Sequence, residues 1–238
     1  LGYDTRPLGE TDFKIKNSKY ERFYSKCEYC NHYFANHSFD LEKLYKKNYS
    51  IFTYGSQKKM LKTFEKINNL PKSKSDNKSR VKRILRNIKK NFNCLDVGSG
   101  LGIFPYALQE KNFKVTCLEK DKNLKAHLKN IKLKVINDKI LSQKKHNKYD
   151  FISMNKIIEH IEVPKIFLKK VLKLLERQGY LYIEVPSISA LKSKLGHNRE
   201  EFFIEHFHVF SKKSLEFLIT SIKLKIIYIK DIKENSGK

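Results

Sequence analysis

The sequence contains no tryptophan, two methionines and four cysteines, and only nine glycines and five prolines among its 238 residues. Cys94 and Cys117 stand alone in apolar segments, which excludes a disulfide-rich extracellular scaffold and predicts small buried side chains. The sequence also lacks any run of about 18 apolar residues, so we expect no membrane span. The polar start LGYDTRPLGETD does not fit a signal peptide, and we expect a cytoplasmic protein.

Acidic residues are scarce, since 25 Asp and Glu stand against 50 Lys and Arg and leave a formal net charge of +25. One interpretation is a nucleic-acid-binding protein that contacts phosphates. The other is a compositional origin, because the basic residues are mainly lysines spread over the whole chain, and abundant Asn and Ile are typical of A/T-rich codons. Such a charge also attracts an anionic small substrate.

Three regions follow one another along the chain. Residues 1–55 are aromatic and irregular, residues 56–91 predict connecting helices broken at Pro71, and residues 92–238 predict one larger domain. In the connecting region, four apolar residues recur at helical spacing and form one stripe. They are Val81, Ile84, Leu85 and Ile88.

Strands and helices alternate from residue 93 onward. Short apolar strands separated by helices favour a parallel sheet covered on both faces. The sequence therefore predicts an α/β fold with a doubly wound, mostly parallel sheet, preceded by a small irregular N-terminal region and connecting helices. The predicted strands are 93–97, 113–119, 133–136, 149–154, 179–185 and 224–229, and the predicted helices are 102–111, 121–130, 164–176 and 211–222.

The first predicted strand leads directly into DVGSGLG, residues 96–102, and then into a helix. Glycine lets the backbone turn sharply and approach a ligand, because it has no Cβ. Gly98, Gly100 and Gly102 do not match the dinucleotide fingerprint G-x-G-x-x-G, since Ile103 occupies its last position, and this counts against a dehydrogenase. Asp96 would favour a cationic group beside the loop and oppose a pyrophosphate.

Acidic residues end the next two predicted strands. Glu119 is placed to accept hydrogen bonds from both hydroxyls of a ribose, and Asp138 can reach an adenine amino group. Asp121 fits a helix N-cap equally well. Together the glycine loop and the acids indicate an adenosine ligand with a positively charged end that carries no phosphate.

Four segments, LDVGSGLG, CLEKD, YDFISMNKIIEHI and LLERQGYLYIEVP, resemble a class I S-adenosylmethionine-dependent methyltransferase over roughly residues 80–230. The resemblance implies a Rossmann-like sheet with the three glycines along the methionine moiety, Glu119 on the ribose and Asp138 near adenine. It also implies that Asn155 lines the methyl-donor pocket. The family's final antiparallel strand has no counterpart after ENSGK, so we expect a chain truncated at its C-terminus.

Cys27 and Cys30 have the spacing of one zinc knuckle, and a structural zinc needs four ligands. His32 and His37 are candidates, although one residue between Cys30 and His32 leaves little chain to close a finger. The segment 20–50 resembles the second half of the N-terminal zinc-binding region of sugar C-methyltransferases, in which an earlier cysteine pair completes the site. Since the chain begins without Met, we expect truncation and a structural zinc in the full-length protein; a vestigial pair is the alternative.

The stretch EFFIEHFHVF, residues 201–210, combines two histidines with two glutamates. It resembles the Tyr-x-Glu-His motif of sugar C-methyltransferases, with Phe203 in place of the tyrosine. The resemblance implies that His206 is the general base and that Glu205 orients its ring. The loss of the tyrosine hydroxyl leaves an O-methyl acceptor open. Two further interpretations are that His206 and His208 fill space under a loop, or that they bind a metal and lack a third ligand.

Glu159 and His160 lie between the fourth predicted strand and the helix that begins near Pro164. One interpretation is a cap and a packing histidine. The other is the divalent-metal set of some quinone-pathway O-methyltransferases, Glu-x-x-Glu-His, which this segment resembles. Lys156 occupies the first ligand position here, and its positive charge would oppose a metal.

The sequence as a whole predicts methyl transfer from S-adenosylmethionine to a small-molecule acceptor, namely a sugar or nucleotide-linked sugar in cell-surface or secondary-metabolite biosynthesis. The alternative is a nucleic-acid methyltransferase or an RNA-binding relative, suggested by the charge. Base methyltransferases often carry Asn/Asp-Pro-Pro-aromatic after the fourth strand, whereas MNKII stands there in this chain. This difference disfavours a nucleic-acid acceptor.

Overall fold

The computed structural model describes residues 2–4, 22–37, 49–143, 147–189, 202 and 205–235. The chain divides into two compact units, each assembled from separate segments. We call the first the antiparallel unit; it comprises Leu1–Thr53, Lys156–Lys169 and Val185–Ile232. We call the second the parallel unit; it comprises Tyr54–Asn155, Lys170–Glu184 and Lys233–Lys238.

The strands and helices are numbered along the described chain. The strands are β1 Gly2–Asp4, β2 Arg22–Lys26, β3 Tyr33–His37, β4 Asn93–Val97, β5 Lys114–Leu118, β6 Lys134–Ile136, β7 Tyr149–Asn155, β8 Leu175–Glu184 and β9 His208–Val209. The helices are α1 Tyr49–Tyr54, α2 Gln57–Asn68, α3 Asp76–Ile84, α4 Ile103–Gln109, α5 Lys122–Asn130, α6 Pro164–Leu172 and α7 Lys212–Ser221.

The parallel unit contains a sheet with the strand order β6-β5-β4-β7-β8, and each pair of neighbours is parallel. Successive residues of a strand point to opposite faces. Cys94 and Leu95 of β4 are 1% and 0% exposed, so this central strand is buried on both faces. Such burial explains its continuous apolar sequence. The predicted mostly parallel α/β fold is confirmed.

The apolar stripe of the connecting region packs on this sheet. Val81 and Ile84 of α3, together with Ile88, join Phe104 and Leu108 of α4 in one buried cluster. The helix α3 ends at Ile84, so Ile88 belongs to the stripe but lies beyond the helix. The predicted stripe is therefore confirmed as a packing surface.

Two predicted boundaries and one predicted strand are wrong. The helix α6 ends at Leu172 and β8 already begins at Leu175, because residues 175 and 180–184 both pair with β7 across an irregularity that includes Gly179. The predicted strand 224–229 is not a strand, and Ile227 and Tyr228 are 67% and 66% exposed. A strand needs a neighbour for its backbone hydrogen bonds. Residues 224–229 have no neighbouring strand among the described residues.

The antiparallel unit contains a sheet with the order β1-β2-β3-β9, in which all neighbours are antiparallel. Residues 22–37, within the region predicted to be irregular, thus form a hairpin. Its turn is closed by Asn31, whose amide donates to the Cys27 carbonyl at 2.7 Å and whose φ is 57°. A small core lies on this sheet and consists of Tyr24, Tyr33, Ala35, Phe202 and Val209.

No helix in the described part of the chain combines the length and the apolar composition that crossing a bilayer would require.

Candidate functional site

The glycine loop connects β4 to α4 in the parallel unit. Gly98, Gly100 and Gly102 have φ values of 68°, 53° and 74°, a left-handed region that residues with a Cβ rarely occupy. The Gly98 amide donates to the Leu118 carbonyl at 2.8 Å, which joins the start of the loop to the end of β5. The loop therefore needs glycine for its backbone conformation at all three positions.

Gly100 and Gly102 differ in what surrounds them. A Cβ on Gly102 would lie 2.6 Å from Cδ2 of Leu128 on α5, so this glycine allows close packing of the helix against the loop. A Cβ on Gly100 would meet only the Tyr54 hydroxyl, at 3.9 Å. Space is therefore open at Gly100, where a ligand can approach the backbone.

Glu119 follows β5 directly and is 6% exposed. Its Oε2 accepts the amide of Gly100 at 3.1 Å, and its Oε1 accepts the amides of Lys120 at 2.8 Å and Asp121 at 3.1 Å. Burial raises the pKa of Glu119, and these amide hydrogen bonds oppose the rise. The carboxylate thus fixes the glycine loop from the neighbouring strand. Since a carboxylate has about four acceptor positions, it can still accept a hydroxyl.

Asp96, near the end of β4, is 3% exposed and organises the carboxyl end of β7. Its Oδ1 accepts the Ser153 hydroxyl at 2.6 Å and the side-chain amide of Asn155 at 3.2 Å. Burial raises the pKa of Asp96 to about 6, against the opposing hydrogen bond from Ser153. The Asn155 Oδ1 is buried and has no hydrogen-bond partner among the described residues. A buried acceptor of this kind suits a ligand donor.

Asp138 is the first residue of a short 3₁₀ helix, Asp138–Ser142, and is exposed. It follows β6, whose last carbonyl, that of Ile136, accepts the Glu119 amide at 3.3 Å. The two predicted adenosine acids therefore lie at the carboxyl ends of adjacent strands. Asp121 is an N-cap, as its Oδ1 accepts the amides of Asn123 and Leu124.

Sequence reasoning missed Tyr54, whose hydroxyl is the group nearest to the open side of Gly100. Burial and the charge of Glu119 both raise the pKa of Tyr54, so the hydroxyl stays protonated and can donate. No local motif marks this residue, since it ends α1 far upstream of the loop. Only the fold brings it to the glycines.

Glu159, His160 and His206 form a group in the antiparallel unit. A carboxylate oxygen of Glu159 and one ring nitrogen of each histidine all lie within 4.8 Å of one another. The two imidazole rings meet edge to face, with their centroids 4.6 Å apart. Glu159 and His206 are 1% and 8% exposed. A carboxylate beside two imidazoles can hold a divalent cation or pass a proton.

Two hydrogen bonds hold the segments of this group together. His160 Nδ1 donates to the Glu205 carbonyl at 3.0 Å, and the Phe207 amide donates to the Glu159 carbonyl at 2.8 Å. Because a carbonyl only accepts, Nδ1 of His160 carries the proton. Glu205, predicted to orient His206, contributes its backbone carbonyl to this arrangement. Phe203 of the predicted motif lies outside the described residues.

His208 has different neighbours from His206. Its Nε2 donates to the Glu162 carbonyl at 3.1 Å, and its Nδ1 lies 3.0 Å from Nε2 of His32. His32 Nδ1 lies 3.2 Å from the Ser214 hydroxyl. Burial, with a smaller contribution from His208, lowers the pKa of His32 to about 4. Burial also lowers the pKa of His208. Both histidines are therefore neutral and hydrogen-bonded.

Cys27 and Cys30 occupy the turn between β2 and β3 as free thiols. His32 faces His208 and Ser214 with its two ring nitrogens. Within the described ranges, no third Cys, His, Asp or Glu joins the two thiols in a group that could hold a metal. Two ligands supply half of a structural zinc site, so these residues do not make one by themselves.

A protein-family model described as a methyltransferase domain matches residues 64–228, more than half of the chain. The chain belongs to this methyltransferase family. The predicted methyltransferase is thereby confirmed at the level of family. No curated protein sequence matches the chain.

Solved structures support the same fold. A SAM-dependent methyltransferase from Archaeoglobus fulgidus is 18% identical over 60% of this chain and 66% of its own, with a TM-score of 0.52. A SAM-dependent methyltransferase from Methanosarcina mazei is 19% identical over 66% of this chain and 91% of its own, with a TM-score of 0.54. The plantazolicin methyltransferase BpumL, solved with SAH, is 16% identical over 76% of both chains, with a TM-score of 0.51.

Proposed function

We propose that this methyltransferase takes its methyl group from S-adenosylmethionine and transfers it to a small-molecule acceptor. The observation that carries the proposal is the Glu119 carboxylate hydrogen-bonded to the Gly100 amide of the glycine loop. This bond joins the acid predicted to accept the ribose to the loop predicted to hold the methionine moiety.

The described residues fit this cofactor. Gly100 leaves open space for a ligand beside the backbone, and Asn155 offers a buried acceptor. Glu119 would accept a ribose hydroxyl and Asp138 the adenine amino group. When bound, the cofactor supplies an electrophilic methyl group on a sulfonium. The contribution of the chain is to orient donor and acceptor, which is the main catalytic term for such a transfer.

Binding measurements test the cofactor. Isothermal titration should detect binding of S-adenosylmethionine and of its product thioether, S-adenosylhomocysteine. Glu119→Gln should weaken the binding of both by about tenfold or more, because the side-chain amide cannot accept all three backbone N–H groups. Glu110→Gln, at an exposed carboxylate after α4, is the matched control and should bind as the wild type does. Wild-type protein that binds a nicotinamide dinucleotide and neither of these compounds would refute the proposal.

For the acceptor, we propose a sugar or nucleotide-linked sugar, with His206 as the general base. A proton would move from the acceptor to a ring nitrogen of His206. The neighbouring Glu159 carboxylate would stabilise the imidazolium that forms. His160 would hold the His206 ring beside Glu159, because it bonds the carbonyl of Glu205, the residue before His206. The resemblance to the Tyr-x-Glu-His motif and the buried Glu159 support this role.

Labelled methyl transfer to a panel of nucleotide-linked sugars tests the base. His206→Gln should lower turnover by about 10²–10⁴-fold and leave the affinity for S-adenosylhomocysteine unchanged. The control is His208→Gln, which removes the neighbouring histidine that belongs to the other hydrogen-bonded group. Activity of His206→Gln equal to that of the control would contradict the proposal, as would activity lost on chelation and restored by a divalent ion.

One observation, the net charge of +25, favours a nucleic-acid acceptor as the second candidate. A nucleic-acid acceptor requires oligonucleotide binding that weakens steeply as salt concentration rises, together with methyl transfer to RNA.

A structural zinc on Cys27 and Cys30 and a cytoplasmic location stay predictions. The zinc content of wild-type protein and of a Cys27→Ser, Cys30→Ser variant tests the first.

A further inference from the structure

His127 is a buried imidazole on α5 that neither the family motifs nor the proposed chemistry uses. It is 0% exposed, and the ring of Phe64 meets it edge to face with centroids 5.8 Å apart. Its Nε2 lies 3.2 Å from the backbone carbonyl of Leu101. Because the carbonyl only accepts, Nε2 carries the proton and donates.

The imidazole is neutral. Burial lowers the pKa of His127, and the hydrogen bond to Leu101 opposes this effect. Its Nδ1 is buried and has no hydrogen-bond partner among the described residues. A leucine would fill this apolar site and remove the unpartnered Nδ1, but it would leave the Leu101 carbonyl without the donor that His127 provides. The hydrogen bond from Nε2 is therefore the chemical property that distinguishes histidine here from an apolar residue.

Leu101 stands between the open glycine and the packed glycine of the loop. Its side chain joins Met60 and Leu124 in a buried cluster, while its carbonyl receives the imidazole proton. Glycine-rich backbone has many accessible conformations, so a binding conformation must be fixed by contacts from outside the loop. The Leu118 carbonyl supplies one such contact at the Gly98 amide, and Glu119 supplies a second at the Gly100 amide. His127 supplies a further contact at the next residue, Leu101.

We propose that His127 is a positioning residue for the cofactor, and that its hydrogen bond to the Leu101 carbonyl holds the glycine loop in the conformation that binds the methionine moiety. The inference rests on the proposed function. Both contacts come from one continuous segment, since Glu119 precedes α5 and His127 lies on it. The segment after β5 would thus set the loop geometry as well as contact the ribose.

Three variants separate positioning from packing. His127→Leu keeps an apolar side chain and removes the donor, whereas His127→Gln places an amide donor near the position of Nε2. Phe64→Leu, the matched control, loosens the packing around the ring and leaves the hydrogen bond in place. For each, we would measure the dissociation constant of S-adenosylhomocysteine, the Tm and the hydrogen exchange of the amides at residues 100–103.

We expect His127→Leu to weaken the binding of S-adenosylhomocysteine about tenfold and to speed amide exchange in the loop. His127→Gln should restore most of this affinity. Phe64→Leu should lower the Tm and change the affinity little. Unchanged affinity in His127→Leu would overturn the inference, as would affinity that follows the Tm across all three variants. If the wild type binds no S-adenosylhomocysteine, the proposed function fails. In that case, hydrogen exchange of the amides at residues 100–103 still tests the inference. Exchange rates that His127→Leu leaves unchanged would show that the hydrogen bond does not hold the loop.

Discussion

Glu184, the last residue of β8, anchors a buried ion-pair network in the parallel unit, and removing its charge should destabilise the fold. Arg80 of α3 donates to both carboxylate oxygens of Glu184, and the Tyr182 hydroxyl donates to Oε2 at 2.6 Å. Arg80 also donates to Glu234 at 3.0 Å. The side chains of Arg80 and Glu184 are only 11% and 16% exposed, so solvent screens their interaction weakly.

The expected magnitude follows from the pKa of Glu184. Burial by itself raises this pKa, but the hydrogen bonds and charge of Arg80 outweigh burial and lower it from 4.5 to about 2. Such a difference corresponds to about 3 kcal/mol of folding free energy. The pKa of Arg80 is raised by the same interaction with Glu184, which adds no separate stabilisation. Because Arg80 keeps Glu234 as a partner, we expect Glu184→Gln to cost about 3 kcal/mol, the lower end for a broken buried pair.

Urea denaturation of wild type and Glu184→Gln measures this cost. The folded state keeps the Glu184 carboxyl ionised, so its contribution is complete above pH 4.5 and disappears as pH falls towards 2. The difference between the two proteins should therefore be full at pH 7 and shrink below pH 4.5. Glu176→Gln, at an exposed position of the same strand, is the control and should change the free energy of unfolding by less than about 0.5 kcal/mol. Equal stability of Glu184→Gln and this control at pH 7 would refute the reasoning.

Three further substitutions distinguish binding from stability. In Gly100→Ala, the Cβ meets open space, so thermal melts should show a stability loss of only about 1 kcal/mol, from the left-handed backbone. The loss of binding free energy for S-adenosylmethionine, measured by titration, should be larger than this loss of stability. In Gly102→Ala, the Cβ would lie 2.6 Å from Leu128, so the Tm should fall more than in Gly100→Ala; the reverse order would contradict the assigned roles. Asp121→Ala removes the acceptor of the Asn123 amide and should cost about 1 kcal/mol in urea denaturation, and an unchanged midpoint would reject the cap.

The parallel sheet and the glycine loop could be predicted because their signals are local. Strand β4 was predicted with its observed bounds, since a strand buried on both faces reads as a continuous apolar run ending at the glycines. The same reasoning failed for residues 224–229, LKIIYI, which form a short and mostly apolar run like that of a strand. Whether such a segment becomes a strand depends on a partner for its backbone hydrogen bonds, and a local pattern carries no information about that partner.

The sequence by itself determined that a glycine loop follows a buried strand and that acids follow the next two strands, because residue type and short-range periodicity fix these features. Only the tertiary structure decided which side chains meet. It brought His127 to the Leu101 carbonyl across 26 positions, His160 to the Glu205 carbonyl across 45, and Arg80 to Glu184 across 104. Contacts over such separations depend on the order of strands in a sheet and the packing of helices on it, which no single segment encodes.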